Sequence, residues 1–80
     1  MPTKSEYDQL FIESFSVDSS VLNQNLVYQS IPAWDSVGHM TLIAAIEEHF
    51  GITIEIDDII NFSSYNTGIE ILSKYGVTLS

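Results

Sequence analysis

The chain contains no cysteine. That excludes disulfides, a cysteine nucleophile and thiolate metal sites together. Basic residues are almost as scarce: Lys4 and Lys74 stand against 11 acidic side chains in 80 residues, a formal net charge of −9. Two lysines make no phosphate-binding patch, which argues against nucleic acid and against an anionic membrane surface. Long apolar stretches are missing too. The longest uninterrupted one, Leu42 to Ile46, falls far short of the ~20 residues that span a bilayer. The opening MPTKSEYDQ has no apolar run behind Lys4, so the sequence predicts neither a signal peptide nor a transit peptide.

What is present points to a folded domain. Hydrophobic residues make up 45% of the chain, too many for a disordered acidic segment. The expectation is one domain over residues 1–80, monomeric and cytoplasmic, whose acidity favours a basic partner. A chain of this size buries only about 60% of its unfolded surface, so the core has little to spare.

Four helices are legible. Thr3 and Glu6 have capping-box spacing, and Tyr7, Leu10, Phe11 and Phe15 follow at helical intervals, predicting a helix over 3–15. From Ser16 to Asp35 single hydrophobes alternate with Ser, Asn, Gln and Asp. Asp18-Ser19-Ser20 suits one short capped turn, and the rest reads as a long loop laid across the core. Asp35 as N-cap and Gly51 as C-terminal stop bound a helix over 36–50. Its core face carries His39, Leu42, Ile43, Ile46 and Phe50; the opposite face carries Val37, Met40, Thr41, Ala44, Glu47 and Glu48 and is expected to be exposed. Gly38 lies in its first turn, where an exposed glycine costs about 1 kcal/mol against alanine. Residues 52–56 alternate with period two, yet a lone strand pair is marginal, so they read as an extended crossing segment. A short helix over 57–62, with Asp57 and Asp58 at its positive end, and a last helix over 66–75, with Ile69, Leu72 and Tyr75 inward, complete an all-α four-helix bundle.

Most catalytic constellations are absent. No glycine-rich phosphate loop, HExxH or EF-hand pattern occurs. His39 and His49 stand at different azimuths and make no metal pair. They read as a core-rim residue and a helix-terminal dipole partner. Asp35-Ser36-Val37 stands out by position: the Ser36 hydroxyl sits at a helix N-terminus beside orphan amides, where a phosphate ester is stabilised. Alone, an Asp-Ser pair signals no more than a capped helix.

It is not alone. The stretch from Trp34 to Ile52, WDSVGHMTLIAAIEEHFGI, resembles the central helix of acyl and peptidyl carrier proteins. The likeness continues through Ile54, Asp57-Asp58 and the last helix, Ile69 to Leu72, and so spans most of the chain. It implies the four-helix carrier fold with a long first loop. It implies that Ser36 is the attachment point of 4′-phosphopantetheine, installed from coenzyme A by a separate magnesium-dependent transferase, with Asp35 as the orienting N-cap. It also implies that an acyl or aminoacyl group rides as a thioester on that arm and that the chain itself is no enzyme. Val37, Met40, Thr41, Ala44, Glu47 and Glu48 match the family's partner-facing side, suited to loading and transferring enzymes with basic docking patches. Carriers of fatty-acid synthesis usually have Leu after the serine and acids early in this helix; here Val37 follows, and no acid lies between Asp35 and Glu47. The stretch looks more like stand-alone carriers of dedicated pathways. The rival reading is an unmodified acidic helical module that docks a basic partner through the same face.

Overall fold

Thr3 opens the first helix as its spacing predicts. The computed structural model describes residues 2–79, and in it Thr3 Oγ1 accepts the Glu6 amide while the Glu6 carboxylate accepts the Thr3 amide. This reciprocal cap starts α1, Lys4–Phe15, which buries Tyr7, Leu10, Phe11 and Phe15 and ends at Ser16 in the left-handed region. α2, Ser36–Phe50, has the expected bounds and turns inward Leu42, Ile43 and Ile46. α3 is Ile56–Asn61 and α4 is Tyr65–Lys74. Each begins one residue earlier than the sequence suggests; for α4 the reason is that Ser64 is a better cap than Tyr65, its hydroxyl accepting the Thr67 amide. The buried face of α4 also differs from the expected one. Tyr65, Gly68, Ile71 and Leu72 are buried, whereas Ile69 and Tyr75 are only half-buried.

No strand occurs among the described residues; residues 52–55 are an extended crossing segment as expected, whereas Ile56 opens α3 and is exposed. Ile54 dips into the core. The long loop carries one 3-10 turn, Ser19–Val21, capped by Asp18. It then sends Leu26 and Trp34 into the interior. Two backbone bonds sew it to the junction of α3 and α4: Tyr28 N–H donates to Ser63 O and Tyr65 N–H to Leu26 O. The loop is therefore a structural layer, in keeping with its scattered apolar residues. Trp34, Phe11 and Phe62, with Tyr7, form an aromatic centre around which the helices pack.

Asp58 lies in the first turn of α3 as expected and does more than favour the helix dipole. It is buried, and its carboxylate accepts from Lys74 Nζ at 2.6 Å and from the Tyr75 hydroxyl. This ties α3 to the end of α4. The Lys74 ammonium beside it holds the Asp58 carboxyl below the usual aspartate range. Asp57, exposed on the first turn, fits the dipole role. Lys74 is thereby engaged at home, and Lys4 lies over the Tyr65 ring. Among the described residues the only other such contact to an acid is that of His49, whose Nε2 lies 3.5 Å from Glu6.

Candidate functional site

Ser36 is the first residue of α2 and is exposed. Asp35 precedes it as N-cap, its Oδ1 accepting the Gly38 amide at 2.8 Å while its carbonyl accepts the His39 amide. The cap fixes the helix start and leaves the Ser36 and Val37 amides without a partner inside the helix. No hydrogen bond engages the Ser36 hydroxyl among the described residues. An exposed, unengaged hydroxyl at the positive end of a 15-residue helix can carry a phosphate ester without giving up a structural bond.

Beside Ser36 lies an apolar cleft of about 320 Å³ between the long loop, α2 and α3. Tyr28, His39, Met40, Ile59, Ile60 and Phe62 line it, with Ser36 and Ser63 at its edge. The sequence reading found Ser36, His39 and Met40 but not the others. Tyr28 lies in the long loop, where no periodicity marks a face. Ile59-Ile60 is a legible apolar pair in a short helix, and only the tertiary arrangement shows that it closes over α2.

His39 supplies no base for Ser36. The Trp34 indole N–H donates to His39 Nδ1 at 2.9 Å, and His39 Nε2 lies 2.8 Å from the Ile59 carbonyl. Both ring nitrogens are spent on structure, consistent with a core-rim role. His49 stands at the far end of α2 beside Glu6, and no group of metal-ligating side chains occurs among the described residues.

Gly38 reverses its expected role. It is half-buried, and a Cβ there would lie 1.9 Å from the Ala33 carbonyl oxygen. The missing side chain lets the loop ending in Trp34 lie directly on the first turn of α2. Gly38→Ala is accordingly expected to destabilise. Forcing the backbone apart costs about 1–3 kcal/mol, which outweighs the ~1 kcal/mol of helix propensity gained. A urea midpoint above that of the parent chain would overturn this account of Gly38.

The outward face of α2 is mostly as expected. Val37, Met40, Thr41, Ala44 and Glu48 are exposed, with the Thr41 hydroxyl donating to the Val37 carbonyl. Glu47 is the exception: it is half-buried, and its carboxylate accepts the Ile54 amide at 2.9 Å. Its reach across to the crossing segment is a packing role that periodicity does not show. Exposed Ile56 and Ile60 on α3 extend the apolar part of this surface.

A small all-α bundle presenting an exposed, unengaged serine at a capped helix start beside an apolar cleft fits a carrier domain. Residues 34–67 match the family model described as phosphopantetheine attachment site. The match covers just under half of the chain and is consistent with the acyl and peptidyl carrier proteins. The cofactor of that family is 4′-phosphopantetheine, held covalently on a serine. Comparison with curated proteins gives no match, and comparison with solved structures gives none either. No helix among the described residues is long and apolar enough to cross a membrane.

Proposed function

We propose that residues 1–80 act as one non-catalytic carrier domain that holds an acyl or aminoacyl intermediate as a thioester, with Ser36 as the attachment point. The observation that carries the reading is the combination of the family match over 34–67 with an exposed, unengaged Ser36 hydroxyl on a capped helix. The matched segment contains two other serines. Ser64 spends its hydroxyl on Thr67, accepting from its amide and donating to its side chain. Ser63 is exposed but precedes the N-cap of α4 instead of starting a helix.

In this reading Ser36 Oγ would attack the pantetheine-bearing phosphorus of coenzyme A, the pyrophosphate bond would break with adenosine 3′,5′-bisphosphate leaving, and the hydroxyl proton would pass to a base on the transferase. Asp35 holds the first turn in register during that step, and the free amides of Ser36 and Val37 face the ester's negative charge. The bound group supplies the thiol that a chain without cysteine lacks. Incubation with coenzyme A, magnesium and a broad-specificity transferase should raise the intact mass by one phosphopantetheine. An unchanged mass would overturn the reading in favour of the unmodified interaction module.

Val37, Met40, Thr41, Ala44, Glu47 and Glu48 form the proposed docking face for the transferase and for loading and transferring enzymes of a dedicated biosynthetic pathway in the cytoplasm. Small apolar residues permit close approach, and the acids orient a basic partner. Because Glu47 is tied to Ile54, Glu48 is the acid free to act. Glu48→Lys is expected to slow the modification several-fold at low salt and to flatten its salt dependence. Rates equal to those of the parent chain at low salt would leave Glu48 as a solvated side chain only.

A further inference from the structure

We propose that His39 is the positioning residue of the Ser36 site and that a second proton on its ring releases the site. An indole N–H can only donate. With Trp34 Nε1 aimed at His39 Nδ1, that nitrogen must present its lone pair, so the proton of the neutral ring sits on Nε2 and is donated to the Ile59 carbonyl. One tautomer of one imidazole thus joins three elements: the end of the long loop, the first turn of α2 and the end of α3.

Each anchored element needs the bond. Trp34 is fully buried and has no water to turn to. α3 spans only Ile56–Asn61 and has no side-chain cap at its start. The Ile59 carbonyl is among those its last turn cannot satisfy internally. His39 supplies that missing donor, and Ser36 lies between Trp34 and His39 in the chain, at the edge of the cleft the three elements enclose.

A second proton has only Nδ1 to occupy, where it would face the Trp34 N–H donor to donor. The indole bond is then lost, and the ring must leave its place between Tyr28, Trp34 and Phe62. The groups facing the ring offer the charged form no compensation. The long loop presents the Tyr28 ring to it, and the acids nearest along α2 and α3 are engaged elsewhere, Asp35 on the Gly38 amide and Asp58 on Lys74 and Tyr75. No carboxylate among the described residues pairs with it. Taking up that second proton therefore loosens α3 and opens the cleft beside Ser36. Asp58 responds separately, because its carboxyl is held below the usual aspartate range.

Trp34 is the sole tryptophan, so its emission reports the bond directly. On titrating the full chain from about pH 8 to about pH 5, Trp34 emission is expected to shift. Over the same range the α3 amides should exchange roughly tenfold faster once corrected for intrinsic rates, the factor one lost buried bond implies. His39→Gln should be flat over that range and His49→Gln should respond like the parent chain. Constant emission and exchange in the parent chain would overturn the proposal, as would a response kept in His39→Gln and lost in His49→Gln. If His39→Gln fails to fold, ring nitrogen shifts of the parent chain decide: an Nε2–H tautomer at neutral pH, protonating in step with the Trp34 change, supports it, and an Nδ1–H tautomer overturns it. The same titration in Ser36→Ala should be unchanged, so the outcome is independent of what Ser36 carries.

Discussion

Ser36→Ala is expected to abolish phosphopantetheine loading while leaving the fold intact. The two halves of that result have separate causes. Loading requires an oxygen nucleophile at the head of α2, and alanine removes it outright. Folding does not, because the hydroxyl is exposed and makes no hydrogen bond, and alanine is a better helix former than serine. Stability should therefore stay within about 0.5 kcal/mol of the parent chain. Ser64→Ala is the informative contrast. It deletes the α4 cap that accepts the Thr67 amide, at a cost of ~1 kcal/mol, yet should still be loaded. Intact mass and a urea melt on both variants read the two effects independently. Loading of Ser36→Ala, or its loss in a folded Ser64→Ala, would move the attachment point away from Ser36.

How far the sequence discloses this molecule depends on whether a feature is local. The α1 capping box, the bounds of α2 and the Asp18 turn each rest on residues within one or two turns, and each stands in the structure as the spacing implies. Features that join distant segments were not legible. Glu47 is indistinguishable from Glu48 by period, but only Glu47 meets the Ile54 amide across the Gly51 turn. Asp58 looks like a helix-dipole acid until α4 brings Lys74 and Tyr75 to it. Gly38 reads as a local weakness because propensity is a single-helix property, whereas its value lies in the Ala33 carbonyl of another segment. Ser36 became legible through resemblance, since an Asp-Ser pair by itself fits any capped helix.

The acid layout shows the same division. The gap in acids between Asp35 and Glu47 is a sequence fact, and in the structure it borders apolar surface: Val37 and Met40 are exposed there, with Ile56 and Ile60 on the neighbouring helix. If the proposed docking face is used, close approach at this end of it would depend more on shape and apolar burial than on charge.

Trp34→Ala should bring the largest loss of stability. The indole is fully buried, with ring centroids 5.7 Å from Phe11 and 5.3 Å from Phe15. Removing so large a buried ring costs about 3–5 kcal/mol. At about 0.05–0.15 kcal/mol per residue an 80-residue domain holds only ~4–12 kcal/mol in total. The substitution therefore removes much of what keeps the chain folded. It also strips His39 Nδ1 of its donor and leaves the segment leading to Ser36 unanchored, so loading should fall with stability. Trp34→Phe separates the two contributions. It restores most of the ring volume but not the N–H, and a buried acceptor left without its donor costs about 1–3 kcal/mol. The expected order of stability is parent chain, then Trp34→Phe, then Trp34→Ala, followed by far-ultraviolet circular dichroism in urea because both variants lack the only tryptophan. A Trp34→Phe variant as stable as the parent would show that the His39 bond contributes nothing net and that Trp34 acts through its ring alone. A Trp34→Ala loss below about 1 kcal/mol, the size of an ordinary substitution, would mean that the loop it anchors is not part of the folded core.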